Sequence, residues 1–100
     1  MPYTTDILNN SNPESLREYA DQIKKFSILT LNSMDDFFDH HLKANKYWQG
    51  NQYDQYTEQF RILCKKVEQE IRELMEFRKK ILLKADELER KQNINLDIMR

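Results

Sequence analysis

One hundred residues, 39% of them apolar and 33% charged, make one small domain that can bury only a limited core in a single copy. A net charge of −1 excludes the basic excess of a general nucleic-acid binder, and one glycine with two prolines leaves too little turn chemistry for a many-stranded fold. The single cysteine, Cys64, excludes an intrachain disulfide framework.

Residues 1–12 are polar, with Ile7 and Leu8 their only aliphatic pair, and are expected to form a loose arm. The start, Met1-Pro2-Tyr3-Thr4-Thr5-Asp6, has neither a positive n-region nor an apolar h-region, so no cleavable signal peptide is expected. No apolar run approaches the roughly 20 residues that cross a bilayer, so no stable membrane insertion is expected either.

Asn12-Pro13-Glu14 reads as a helix start: Asn to cap, Pro at the first helical position, an acid in the first turn. From there Leu16, Ala20, Ile23, Phe26, Leu31, Met34, Phe37, Phe38 and Leu42 recur at helical spacing, and Ile28 and Leu29 widen the stripe. The pattern predicts an amphipathic helix over 13–47, about 50 Å long. A stripe this wide asks for two neighbours.

Trp48-Gln49-Gly50 brings together the only tryptophan and the only glycine of the chain, and predicts a turn over 48–51. Beyond it Phe60, Val67, Leu74, Ile81 and Leu88 fall every seven residues, with Leu63, Cys64, Ile71, Phe77 and Ala85 three or four further on. That heptad seam predicts a second helix over 52–91, followed by a frayed tail over 93–100. Two long helices with a short link must fold back antiparallel, which makes residues 13–92 an all-α, two-helix hairpin. A lone hairpin leaves much of both stripes wet, so it is expected to dimerise into a four-helix bundle. An identical and a different mate fit the seam equally well. The turn aromatics Tyr47, Tyr53 and Tyr56 and the seam residues Phe60, Val67, Leu74, Ile81 and Leu88 are the expected partner contacts.

A central Trp-x-Gly between two long amphipathic helices, in about a hundred residues, resembles the WXG family, the small helical hairpins related to the early secreted antigen of mycobacteria. The similarity covers roughly residues 14–92, and the segment from Tyr47 to Phe60 resembles the family's turn. The resemblance implies a chain that is cytoplasmic before export and secreted through a type VII (ESX-like) system without a cleavable signal peptide. It also implies that Trp48 and Gly50 form a recognition turn: Trp48 supplies apolar area, Gly50 the reversal, and the secretion ATPase reads the surface they help to build. The implied mate is another helical hairpin or a larger secreted effector. The chain departs from the family in one place. None of its five tyrosines has an acid four residues on, so the family's Tyr-x-x-x-Asp/Glu motif is missing here and falls to the partner. The alternative is a cytosolic coiled-coil adaptor or regulator in which Trp-x-Gly only plugs the hairpin end.

No other constellation points to chemistry, and no catalytic, cofactor or metal site is expected. Asp36 and His40 share a helix face but lack converging ligands, which favours a solvated acidic face with His41 at the bundle edge. Cys64 lies on the seam and reads as a small buried hydrophobe. One glycine cannot build a phosphate cradle. Lys65-Lys66 and Arg78-Lys79-Lys80 alternate with glutamates and read as solvent faces.

Overall fold

A computed structural model of the protein describes residues 12–99, with side chains from 12 to 94, and its regular elements among them are all helical. The arm expected at 1–11 lies outside the described residues. Helix α1 spans Pro13–Lys43, a 3-10 turn follows at Ala44–Lys46, and helix α2 runs over Asn51–Met99. Two helices joined by a short turn are compatible with the expected hairpin. Among the described residues no helix is long and apolar enough to cross a membrane.

Both helices begin for local reasons. The Asn12 carbonyl accepts from Leu16 N–H at 3.1 Å, and its side-chain oxygen accepts from Ser15 N–H at 2.8 Å, so two otherwise orphaned donors are satisfied before α1 packs against anything. In α2 the Gly50 carbonyl accepts from Asp54 N–H at 3.1 Å, which makes Gly50 the residue that opens the second helix. Between Asn51 and Met99 there is no glycine or proline to break the ladder.

Two compact units divide the chain: one from Met1–Lys25 with Met75–Arg100, the other from Phe26–Leu74. In the first, Leu16, Ala20 and Ile23 of α1 and Ile81 and Ala85 of α2 are buried. Tyr19 meets Phe77 edge to face, with ring centroids 6.3 Å apart. Arg17 holds two acids of α2, bonding Asp86 at 3.0 Å and also Glu89. Arg78 Nε donates to the Ala20 carbonyl at 3.1 Å. Residues rising along α1 meet residues falling along α2, so the two helices are antiparallel here. In the second unit Ser27, Tyr53 and Ile71 are buried, and Phe38 stacks on Phe60 with centroids 5.4 Å apart. His41 stacks on Tyr53, again in antiparallel order.

Helix α1 stops being α-helical at Lys43, before the expected end at Tyr47, because the last residues tighten into a 3-10 turn. Both Tyr47 N–H and Trp48 N–H reach back to the Ala44 carbonyl, each at 2.9 Å. At the other end α2 continues through Met99, past the fraying expected after Lys91. The polar run Gln92-Asn93-Ile94-Asn95 contains moderate helix formers and no breaker.

The seam of α2 keeps its heptad, and Cys64, Ile71 and Ala85 hold its second row as expected, with Thr57 and Arg78 in place of Leu63 and Phe77. Positions 57, 64, 71, 78 and 85 accompany 60, 67, 74, 81 and 88, and all ten are buried or half-buried. Phe77, expected in that row for its apolarity, flanks it, and Arg78 occupies it. The arginine fits by laying its stem along the seam and spending its head group on a backbone carbonyl. Arg78 is therefore no solvent-face residue.

Candidate recognition site

The end of α1, the turn and the start of α2 converge on a cluster of aromatic rings inside the second unit. Helical spacing brings Phe37, Phe38 and His41 to one end of α1, and Tyr53, Tyr56 and Phe60 to the facing turns of α2. Phe37 and Phe60 lie 4.8 Å apart between centroids. Tyr53 is the centre of the group. It is only 5% exposed, its ring stacks on His41 at 4.8 Å and 12°, and its hydroxyl donates to the His41 carbonyl at 2.7 Å. That carbonyl belongs to the last turn of α1, where intrahelical donors run out, so Tyr53 caps the first helix from the second. A net gain of about 1 kcal/mol is typical of such a bond.

His41 and Thr57 complete the join. Thr57 Oγ1 donates to the Tyr53 carbonyl at 2.9 Å, which uses its only proton. The 2.7 Å contact between His41 Nε2 and Thr57 Oγ1 then requires Nε2–H to donate. His41 therefore lies, half-buried, within the cluster. Its neighbour His40 faces solvent and donates from Nδ1 to the Asp36 carbonyl at 2.7 Å.

Trp48 leans on this frame. Its indole meets Tyr53 edge to face at 5.3 Å and 72°, and Tyr56 at 5.6 Å and 49°. The side chain nevertheless stays 38% exposed, and its indole N–H has no hydrogen-bond partner among the described residues. Trp48 borders a cleft of about 450 Å³ lined by Phe37, His41, Tyr56, Gln59, Phe60 and Leu63, with no formally charged side chain among them. Gly50 has φ of +114°, a region that residues with a Cβ rarely adopt, and a Cβ placed there would meet no atom within 4 Å. Its glycine is thus demanded by the backbone, not by crowding, and it serves the entry to α2 rather than the exit from α1.

The other expected contact residues divide by position. Tyr47, 92% exposed, and Tyr56 face outward. Tyr53 and Ile81 are buried within the chain itself, and Phe60, Val67, Leu74 and Leu88 are half-buried on the intrachain seam. The heptad that suggested a second chain is occupied first by α1. Phe37 and Leu63, assigned by their spacing to the α1 stripe and the α2 seam, are instead exposed on the cleft.

A second, larger groove of about 590 Å³ follows a different side of α2, where Glu58, Arg61, Lys65 and Glu68 surround Met34, Phe38, Ile62 and Cys64, with Asp35 opposite. Cys64 is half-buried, and burial, followed by Glu68 and Asp35, pushes its thiol above the ordinary range, which disfavours the nucleophilic thiolate. No group of three or more His, Cys, Asp or Glu side chains among the described residues could hold a metal ion. Compared with protein-family models, curated proteins and solved structures, the chain matches none.

Proposed function

We propose that the chain is a small non-enzymatic WXG-like protein of a type VII (ESX-like) secretion system, exported as a hairpin or partnering a secreted effector, and read through its Trp48–Gly50 turn. The observation that carries this reading is Trp48 itself. A tryptophan serving only to plug the hairpin end would turn inward, as Tyr53 does. Trp48 is instead braced by two tyrosines and still offers an apolar face, and an indole N–H with no partner among the described residues, to another molecule.

Dimerisation belongs to the same proposal. Phe37, Tyr56 and Leu63, each about half exposed, and Trp48, somewhat less so, surround the uncharged cleft and leave roughly 400 Å² of mostly apolar surface there. A standard interface buries about 800 Å² per partner, a little over half of it non-polar, so the patch is the right size for one such contact. A second hairpin, from another copy or from an effector, would cover it and complete a four-helix bundle. The uncharged lining suits either mate.

Export from the native host, measured for wild type and Trp48→Ala beside their sedimentation at micromolar concentration, tests the reading. Export of wild type, lost in the variant while the dimer persists, is the expected result. Equal export of both refutes the recognition role, and loss of the dimer reassigns Trp48 to packing. Failure of wild type to leave the cell favours the cytosolic adaptor. A folded, cooperative monomer would refute the four-helix bundle.

A further inference from the structure

We infer that Tyr53, His41 and Thr57 form a positioning device for Trp48, so that the tryptophan's presentation is set from inside the hairpin. The inference rests on the reading of Trp48 as a recognition residue.

Three hydrogen bonds close a ring between the helices. His41 Nε2–H donates to Thr57 Oγ1, Thr57 Oγ1–H to the Tyr53 carbonyl, and Tyr53 Oη–H back to the His41 carbonyl, at 2.7, 2.9 and 2.7 Å. The Tyr53 hydroxyl also has the Leu42 carbonyl as a longer second acceptor at 3.5 Å, on the same last turn of α1, so each residue of the ring still fixes the next. The Tyr53 ring is consequently held at its hydroxyl, across its face by His41, and through its own carbonyl. The edge-to-face contact with Trp48 is made on that immobile ring.

The backbone does not duplicate this control. Trp48 N–H is tied to the Ala44 carbonyl at 2.9 Å, which fixes where the residue sits but leaves its side-chain torsions free. The indole has no internal hydrogen bond among the described residues, and its ring contacts are Tyr53 and Tyr56, of which Tyr56 is itself about half exposed. Of these two rings Tyr53 is the buried one, and so the firmer surface against which the indole can be oriented. Thr57 and His41 are positioning residues one step behind it.

Because Trp48 is the only tryptophan, its fluorescence reports this site alone. Tyr53→Phe keeps the ring and removes the bond to His41. Thr57→Val keeps the shape and removes both hydroxyl bonds, whereas Thr57→Ser keeps the hydroxyl. At a temperature where far-ultraviolet circular dichroism shows all four proteins folded, Tyr53→Phe and Thr57→Val are expected to shift Trp48 emission to longer wavelength and to lose protection from acrylamide. Thr57→Ser is expected to match wild type. Wild-type emission and quenching in both Tyr53→Phe and Thr57→Val would overturn the inference, as would equal changes in the serine and valine variants. Export of Trp48→Ala at the wild-type level would sink the recognition reading while leaving these optical results as they stand.

Discussion

Replacing Gly50 separates two physical accounts of the turn. Helix capping alone favours Asp over Gly as the residue that opens α2, by a few tenths of a kcal/mol, because a carboxylate can accept from the first free amides. Backbone conformation predicts the reverse. With φ at +114°, any residue carrying a Cβ is strained by about 1–3 kcal/mol, while the open space around the site adds no steric cost. Stiffening of the unfolded chain returns about 0.4–1 kcal/mol for Gly→Ala, which leaves a net loss of about 0.5–2 kcal/mol. For a chain of this size that corresponds to a fall in Tm of about 4–8 °C per kcal/mol. Gly50→Ala and Gly50→Asp should both unfold at lower urea concentration than wild type with an unchanged m-value, Asp by a few tenths less. If Gly50→Asp proves as stable as wild type or more so, the turn does not require positive φ in solution, and the case for glycine here collapses.

Further outcomes follow from packing and charge. Ile81, with no exposed surface, should cost about 2–5 kcal/mol as Ile81→Ala in urea denaturation, whereas Leu83→Ala, 68% exposed two residues on, should stay within about 0.5 kcal/mol. Lys43 holds the Asp39 carboxyl below its ordinary range through a 2.9 Å bond, and Lys91 does the same for Glu87, with Lys84 assisting. A carboxyl depressed by folding contributes stability above its unfolded value and loses it as pH falls through the folded one. Thermal unfolding between pH 6 and 3 should therefore fall less steeply below about pH 4 in the Asp39→Asn, Glu87→Gln double variant than in wild type, and the gap should shrink at high salt. Parallel curves would show that these exposed pairs carry no linkage.

The helices were legible because their causes are local. Asn12 and Pro13 set the start of α1 through capping chemistry that needs no tertiary partner, and the sevenfold recurrence from Phe60 to Leu88 fixes which side of α2 faces inward. Cys64, Ile71 and Ala85 in the second row of that seam were legible too, but Arg78 was not, since it looks like surface until a main-chain carbonyl is found for its guanidinium. The turn was legible as a place and not as a geometry: Gly50 marks the reversal, yet whether it closes one helix or opens the next depends on which carbonyl meets which amide. Tyr53 shows the same limit most clearly. Among four aromatics near a turn, composition cannot tell the ring that faces a partner from the ring that caps a helix. That distinction lies in the twelve-residue step from Tyr53 Oη to the His41 carbonyl, which only the folded backbone creates.

That step also bears on the order in which the hairpin assembles. Contacts around Tyr53 close loops of 12 and 16 residues, while those of Arg78 and Arg17 close loops of 58 and up to 72. The sixfold longer loop costs about 1.6 kcal/mol more in closure entropy, before any gain from the contact it makes. Folding should therefore nucleate where α1 meets the turn and zip towards the chain ends. On this view changes near Gly50 and Tyr53 slow folding, whereas changes at the Arg17–Asp86 pair leave the folding rate nearly untouched and hasten unfolding instead. The residues that present Trp48 would then be among the first in the chain to find their native places.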